Sequence, residues 1–252
     1  MNFRINIANR IVFFILFLFA IEFFSAQNNS GTLKIKIHPV FNQTQLILSD
    51  HGYINTHGDS VYIDDFKFYL CKLCLKKEGA NSFCEVESYH LVDAEDSVTQ
   101  TIVIKNIPEG TYSNFSFNIG VDSLKNVSGA LTGDLDPIKG MYWAWNTGYI
   151  AARIIGHSKV CKTLHNEFEF HIGGYLSPYN SLRKNSIKLD DLKIVSSKTT
   201  VLELYADVAE WFKTPVTIDV SKTNSVVLPN KQAMIMANNY SDMIKFKKSI
   251  NP

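Results

Sequence analysis

The sequence predicts an all-β fold, a β-sandwich with Greek-key or jelly-roll-like connections, and three observations carry that expectation. Apolar and polar residues alternate through Thr32-Leu33-Lys34-Ile35-Lys36-Ile37-His38 and again through Phe66-Lys67-Phe68-Tyr69-Leu70. Alternation of this kind puts every second side chain on one face of a half-buried sheet. Short runs of the same character recur along the chain, separated by turn residues, and no window carries a helical stripe longer than about three turns.

Taken in order, Thr101 to Lys105 and Tyr112 to Ile119 read as the two strands of a hairpin. The turn Asn106-Ile107-Pro108-Glu109-Gly110 supplies the Pro and Gly such a loop needs. Further strands are expected at 141–146, 150–155, 167–172, 186–189, 201–205 and 217–220. Residues 209–213 and 231–243 are the two short helix candidates.

The N-terminus has the form of a signal peptide over residues 1–26. Arg4 and Arg10 form a basic n-region, Ile11 to Phe24 is apolar apart from Glu22, and Ser25-Ala26 are the small residues a signal peptidase accepts. The apolar run is shorter than the roughly 20 residues a bilayer-spanning helix needs. Cleavage is therefore expected before Gln27, giving an exported chain, periplasmic, cell-surface or secreted, with no stable membrane span. No Cys stands at the cleavage point, which disfavours a lipoprotein.

Residues 27–252 are long enough for one sizeable core and are expected to form a single domain. Basic and acidic side chains become equal in number once Arg4, Arg10 and Glu22 are removed. That balance argues against nucleic acid or an anionic membrane as partner.

Four cysteines in an exported chain invite disulfides. Residues 76–82 read as the turn of a hairpin centred near Gly79, which sets Cys74 across from Cys84. Cys71–Cys161 then follows by elimination, although four cysteines allow three connectivities. The Cys71-x-x-Cys74 spacing would suit a redox motif or half a zinc ribbon only with a helix N-terminus or a second such pair, and neither is visible.

Seven histidines, His38, His51, His57, His90, His157, His165 and His171, are the metal candidates. None stands at a spacing that organises a site locally, so the fold must assemble any site. His171 lies in Phe170-His171-Ile172-Gly173-Gly174, and His38 ends the first strand before Pro39. Met141, Trp143 and Trp145 would share one face of an extended strand, a pattern that suits core packing equally well. Asp122, Asp134 and Asp136 lie in Gly-rich loops; they read as turn caps, with calcium as the rival, although the EF-hand spacing is absent. No Gly-x-Ser-x-Gly, His-Glu-x-x-His, P-loop or dinucleotide signature occurs, so an enzyme is not expected.

The motifs of one block set this chain apart: Gly120-Val121-Asp122, Asn126, Asp134-Leu135-Asp136-Pro137, Met141-Tyr142-Trp143-Ala144-Trp145-Asn146-Thr147-Gly148-Tyr149 and, later, Phe170-His171-Ile172-Gly173. Together they resemble the MbnP family of copper-binding extracytoplasmic proteins, first associated with methanobactin operons. The likeness extends from about Leu33 to Phe246. It implies copper as cofactor, His171 and His38 as metal ligands, and Trp143, Trp145 and Met141 at or near the site. It further implies oxidation of a tryptophan to kynurenine by a di-haem partner enzyme of the cytochrome c peroxidase type. Imidazole with a softer nitrogen or thioether donor suits copper better than calcium or magnesium. The chain departs from the methanotroph branch at Asp122-Ser123-Leu124-Lys125-Asn126, which lacks that branch's histidine. The competing expectation is a metal-free secreted sandwich that binds a protein or glycan through its loops.

Overall fold

The computed structural model describes residues 29–77, 79, 82–145 and 148–252; the expected signal peptide lies outside the described residues. The alternating segments form, in chain order, β1 (Ser30–Phe41), β2 (Thr44–Gln45), β3 (Gly52–Ile54), β4 (Ser60–Lys76), β5 (Phe83–Cys84), β6 (Tyr89–Asp93), β7 (Thr101–Pro108) and β8 (Gly110–Ile119). A short helix, α1 (Ser123–Val127), and two 3-10 turns lead to β9 (Tyr142–Trp143). Then follow β10 (Gly148–His157), β11 (Glu167–Gly173), β12 (Arg183–Ile194), β13 (Thr199–Asp207), β14 (Ser225–Val226), α2 (Lys231–Tyr240) and β15 (Ile244–Ile250).

These strands make the two sheets of an all-β sandwich. In the five-stranded first sheet, β1 pairs β13 in parallel and β7 and β2 antiparallel, with β15 beyond β13. The ten-stranded second sheet runs β12-β8-β4-β10-β11-β14, with β3, β5 and β6 along β4 and β9 along β10. Period-two alternation aims Leu33, Ile35 and Ile37 of β1 and Leu202 and Leu204 of β13 inward, against Phe66, Phe68, Phe115, Phe117, Phe168 and Phe170 of the second sheet. Each such side chain contributes roughly 1.5–3 kcal/mol on burial.

Several expectations are corrected. The hairpin expected across residues 101–119 is a crossing: β7 pairs β1 in the first sheet, whereas β8 pairs β4 and β12 in the second. Turn residues signal a change of direction and not which neighbour a strand finds. The strand expected over 141–146 stops at Trp143, Ala144 and Trp145 are in a turn, and Asn146 lies outside the described residues. Residues 217–220 form no strand, although Ile218 and Val220 are buried. The helix candidates become a 3-10 turn, Val208–Phe212, and α2.

Cys74 and Cys84 are direct cross-strand partners with Cα atoms 4.1 Å apart, and they form the expected disulfide. Cys71 and Cys161 are free and buried, so the pairing reached by elimination does not form. Cys161 belongs to the inner core and follows Ser158, whose hydroxyl donates to the Ser60 carbonyl at one end of β4. Cys71 lies some 35 Å along that strand at ~3.3 Å per residue. There, burial and then the neighbouring Asp122 carboxylate push its thiol up to about 12.

Candidate functional site

The second sheet turns a row of charged side chains away from the core. Asp93 of β6, Lys67 of β4, Arg153 of β10 and His171 of β11 are cross-strand neighbours in that order. Lys67 Nζ lies 2.6 Å from Asp93 Oδ2 and 3.6 Å from Asp65 Oδ1, and Arg153 Nε donates to Asp65 Oδ2 at 2.6 Å. Two cations thus alternate with two carboxylates. All four are largely sheltered, so each charge has a partner where an unpaired one would be costly.

The segment from Val121 to Trp145 shelters part of this face. Asn126, buried at the end of the Asp122-capped helix α1, accepts from Tyr149 N at 2.8 Å and donates to Val121 O and Asp122 O at 2.8 and 2.9 Å. Asp136 Oδ1 accepts from Ile138 N, the expected turn cap, whereas Asp134 Oδ2 accepts from Leu91 N of β6 and so ties the loop to the sheet and caps no turn. Asp122 is already engaged by Lys125 N, Tyr89 OH and Lys72 Nζ. Tyr69 OH donates to Asp134 O, Tyr149 OH to Leu135 O, and Arg153 Nη1 to Gly140 O at 2.8 Å. Beneath these bonds Tyr69, Leu91, Val121, Leu135, Met141, Trp143, Tyr149 and Ile150 form a second apolar cluster.

His171 sits at the margin of this cap. Its Nε2 is buried and has no hydrogen-bond partner among the described residues. Burial, then the Arg153 guanidinium, hold its pKa below the usual imidazole value, outweighing Glu169 and Asp65. The ring is therefore neutral near pH 7 with a nitrogen lone pair unspent. Gly173, two residues on and facing the same way, leaves room for an indole: a Cβ there would stand 2.6 Å from Trp143 Cζ3. Trp143 is 5% exposed; Trp145, its ring centroid 5.7 Å away, is 63% exposed because the turn after β9 swings it outward. Beside Trp143 lies a cleft of about 190 Å³ lined by Gly148, Tyr175, Leu176, Tyr179 and Pro229.

His171, Trp143 and Met141 are thus brought to one outer face, with Met141 fully buried in the apolar cluster. His38 is not. It projects from the outer face of the first sheet, on the far side of the core, where its Nε2 lies 3.1 Å from Glu203 Oε2. A ligand set joining His171 and His38 is therefore impossible within one chain. The sequence reading missed a further group, His57, Asp59 and Asp219, whose ligand atoms lie within 4.8 Å of one another. Lys222 and Ser221 already engage Asp219, which holds its carboxyl far below the usual range. Only the His57-x-Asp59 spacing could have hinted at it.

What this defines is an all-β sandwich with a side-chain site under a loop cap on one outer sheet face. The family model described as MbnP matches residues 30–235, most of the chain, and the chain belongs to the MbnP family. The fold is similar to the solved structure "MbnP from Methylosinus trichosporium", with a TM-score of 0.55 and 12% sequence identity over 81% of this chain and 87% of that one. At that identity the likeness concerns the fold. No match is found among curated proteins. No helix among the described residues is long and apolar enough to cross a membrane.

Proposed function

We propose that this protein is an exported copper-binding protein, and not an enzyme, with its metal locus at His171 beside Trp143. The observation that carries the reading is the buried Nε2 of His171, on a neutral imidazole, with no hydrogen-bond partner among the described residues. A buried polar atom without a partner costs roughly 1–3 kcal/mol, which a metal ion would offset. Imidazole is a ligand copper accepts readily. Arg153 works against a second cation nearby, and Asp65, bonded to its Nε, offsets that charge.

Trp143 is the tryptophan we assign to conversion, because the space over Gly173 seats its ring on the His171 face. An indole is a poor ligand, and kynurenine would supply an aromatic amine there; a di-haem partner enzyme of the cytochrome c peroxidase type is the oxidant the family implies. Exposed Trp145 is the indole such a partner could reach first. Met141 shapes the site by packing beneath it.

Copper content and intact mass of protein from its native host test the reading. His171→Ala should lose copper while His38→Ala, altered on the opposite face, keeps it. The Trp143 peptide should gain about 4 Da, one carbon lost and one oxygen gained. Equal copper in wild type and His171→Ala would remove this site. The cleft beside Trp143, with Tyr175, Leu176 and Tyr179 in its wall, would then favour the second reading, a metal-free sandwich that holds a partner through its loops.

A further inference from the structure

We propose that the outer face of the first sheet is a binding site for an acidic polysaccharide, a glycan carrying carboxylates along its chain. Equal numbers of basic and acidic residues hide a local excess of lysines on this face. Lys34 and Lys36 of β1, Lys105 of β7, and Lys245, Lys247 and Lys248 of β15 all lie on this face. The carboxylates next to these lysines are Glu203 and Asp207 of β13 and Glu210 of the 3-10 turn that follows, all three buried, and Glu210 already pairs with Lys245 and Lys213. Glu203 is already held by Lys247, Lys248 and His38, and Asp207 by Asn42 N and Ala209 N. Among the described residues, Lys34, Lys36 and Lys105 have no carboxylate within 4.0 Å. Lys34 and Lys36 are ~6.7 Å apart along β1, and Lys248 of β15 lies two strands, ~9.6 Å, from Lys36 with Glu203 between them.

A cleft of about 500 Å³ opens at the His38 end of this face. Its wall includes Gln43, Gln45, Ser97, Tyr205 and Lys247 together with one carboxylate, Glu95, so amides, hydroxyls and a cation face it beside a single acid. Burial and then Lys247 keep His38 below its ordinary pKa, so near neutral pH its ring exchanges hydrogen bonds with hydroxyls as a neutral group. Lys247 Nζ stands 5.2 Å from the Tyr205 ring centroid. Polar amides beside an aromatic ring match sugar hydroxyls and C–H faces. A bilayer would call for apolar side chains to insert, and phosphate recognition favours arginine, which these strands lack.

The test uses the purified protein and fluorescent alginate oligomers in EDTA, with neutral dextran, phosphatidylglycerol vesicles and duplex DNA as comparators. Alginate should bind, dextran should not, and affinity should fall as salt rises. The double variant Lys36→Glu/Lys105→Glu should weaken alginate binding by at least about tenfold through charge reversal. Gln45→Ala, which changes no charge, should weaken it by about threefold through a lost hydrogen bond. Thermal unfolding of both variants should match wild type. The proposal is overturned if alginate fails to bind at low salt, if vesicles or DNA bind as tightly as alginate, or if Gln45→Ala binds like wild type. His171→Ala should leave alginate binding unchanged, so failure here and failure of the copper reading are separable.

Discussion

The two outer faces of this sandwich cover the same core yet are built on opposite principles. On the second sheet, Lys67 and Arg153 are matched by Asp65 and Asp93, and the Val121–Trp145 segment folds over the face through buried hydrogen bonds. On the first, Lys247 and Lys248 pair with buried Glu203 and Lys245 with buried Glu210, whereas Lys34, Lys36 and Lys105 lack a carboxylate partner among the described residues. A paired, covered face concentrates stability and can hold a group in fixed geometry. An unpaired, open one contributes little to stability and leaves its charge available to a partner. The contrast sets the proposed metal locus on the covered face and the proposed electrostatic contact on the open one.

The largest expected break in this contrast is Asn126→Ala. It leaves Tyr149 N, Val121 O and Asp122 O without the side chain that satisfies them, in a place water does not easily reach. Unfolding in urea should show a loss of roughly 3 kcal/mol. A loss below 0.5 kcal/mol would mean the cap is held by its apolar cluster alone.

Next comes Gly173→Ala, whose Cβ would meet Trp143 Cζ3 at 2.6 Å and Tyr149 O at 2.8 Å. Overpacking of this kind costs roughly 1–3 kcal/mol, and it should shift the tryptophan emission because the indole must move. An unchanged spectrum would place Trp143 elsewhere in solution.

A smaller effect is expected from pH. His171 has a depressed pKa in the folded state, so as pH falls below about 6.5 the unfolded chain takes up its proton first. The stability tied to this group is full above that value and declines as pH drops toward the folded pKa. His171→Asn should flatten this part of the stability profile, measured by urea unfolding at about pH 7.5 and 5.5. An identical slope in the variant would show that His171 is not desolvated.

Smallest of all is the effect of Lys36→Glu on stability, expected within about 0.5 kcal/mol because the residue is exposed and unpaired. A large loss by thermal unfolding would show that the open face contributes to stability after all.

Much of this was legible in the chain itself. The alternation in 32–38 and 66–70 indicated strands and their buried faces, because period-two patterning is a local property. The symmetry of Cys74 and Cys84 about Gly79 gave their pairing for the same reason, and Asp136 before Pro137 announced its turn. The motif block marked the family, and its residues do gather on one face with His171.

Only the tertiary structure decided the rest. Whether β7 and β8 pair with each other or cross between sheets depends on neighbours far away in sequence, and so does the separation of Cys71 from Cys161. The same holds for His38 and His171, each on an outward position of its own strand: alternation tells which residues share a face of one strand but not which faces of different strands look the same way. Charge behaves likewise. The sequence determines that lysines and carboxylates balance, while strand order determines that one sheet pairs them and the other gathers the lysines, because electrostatic energy depends on distance in space and not along the chain.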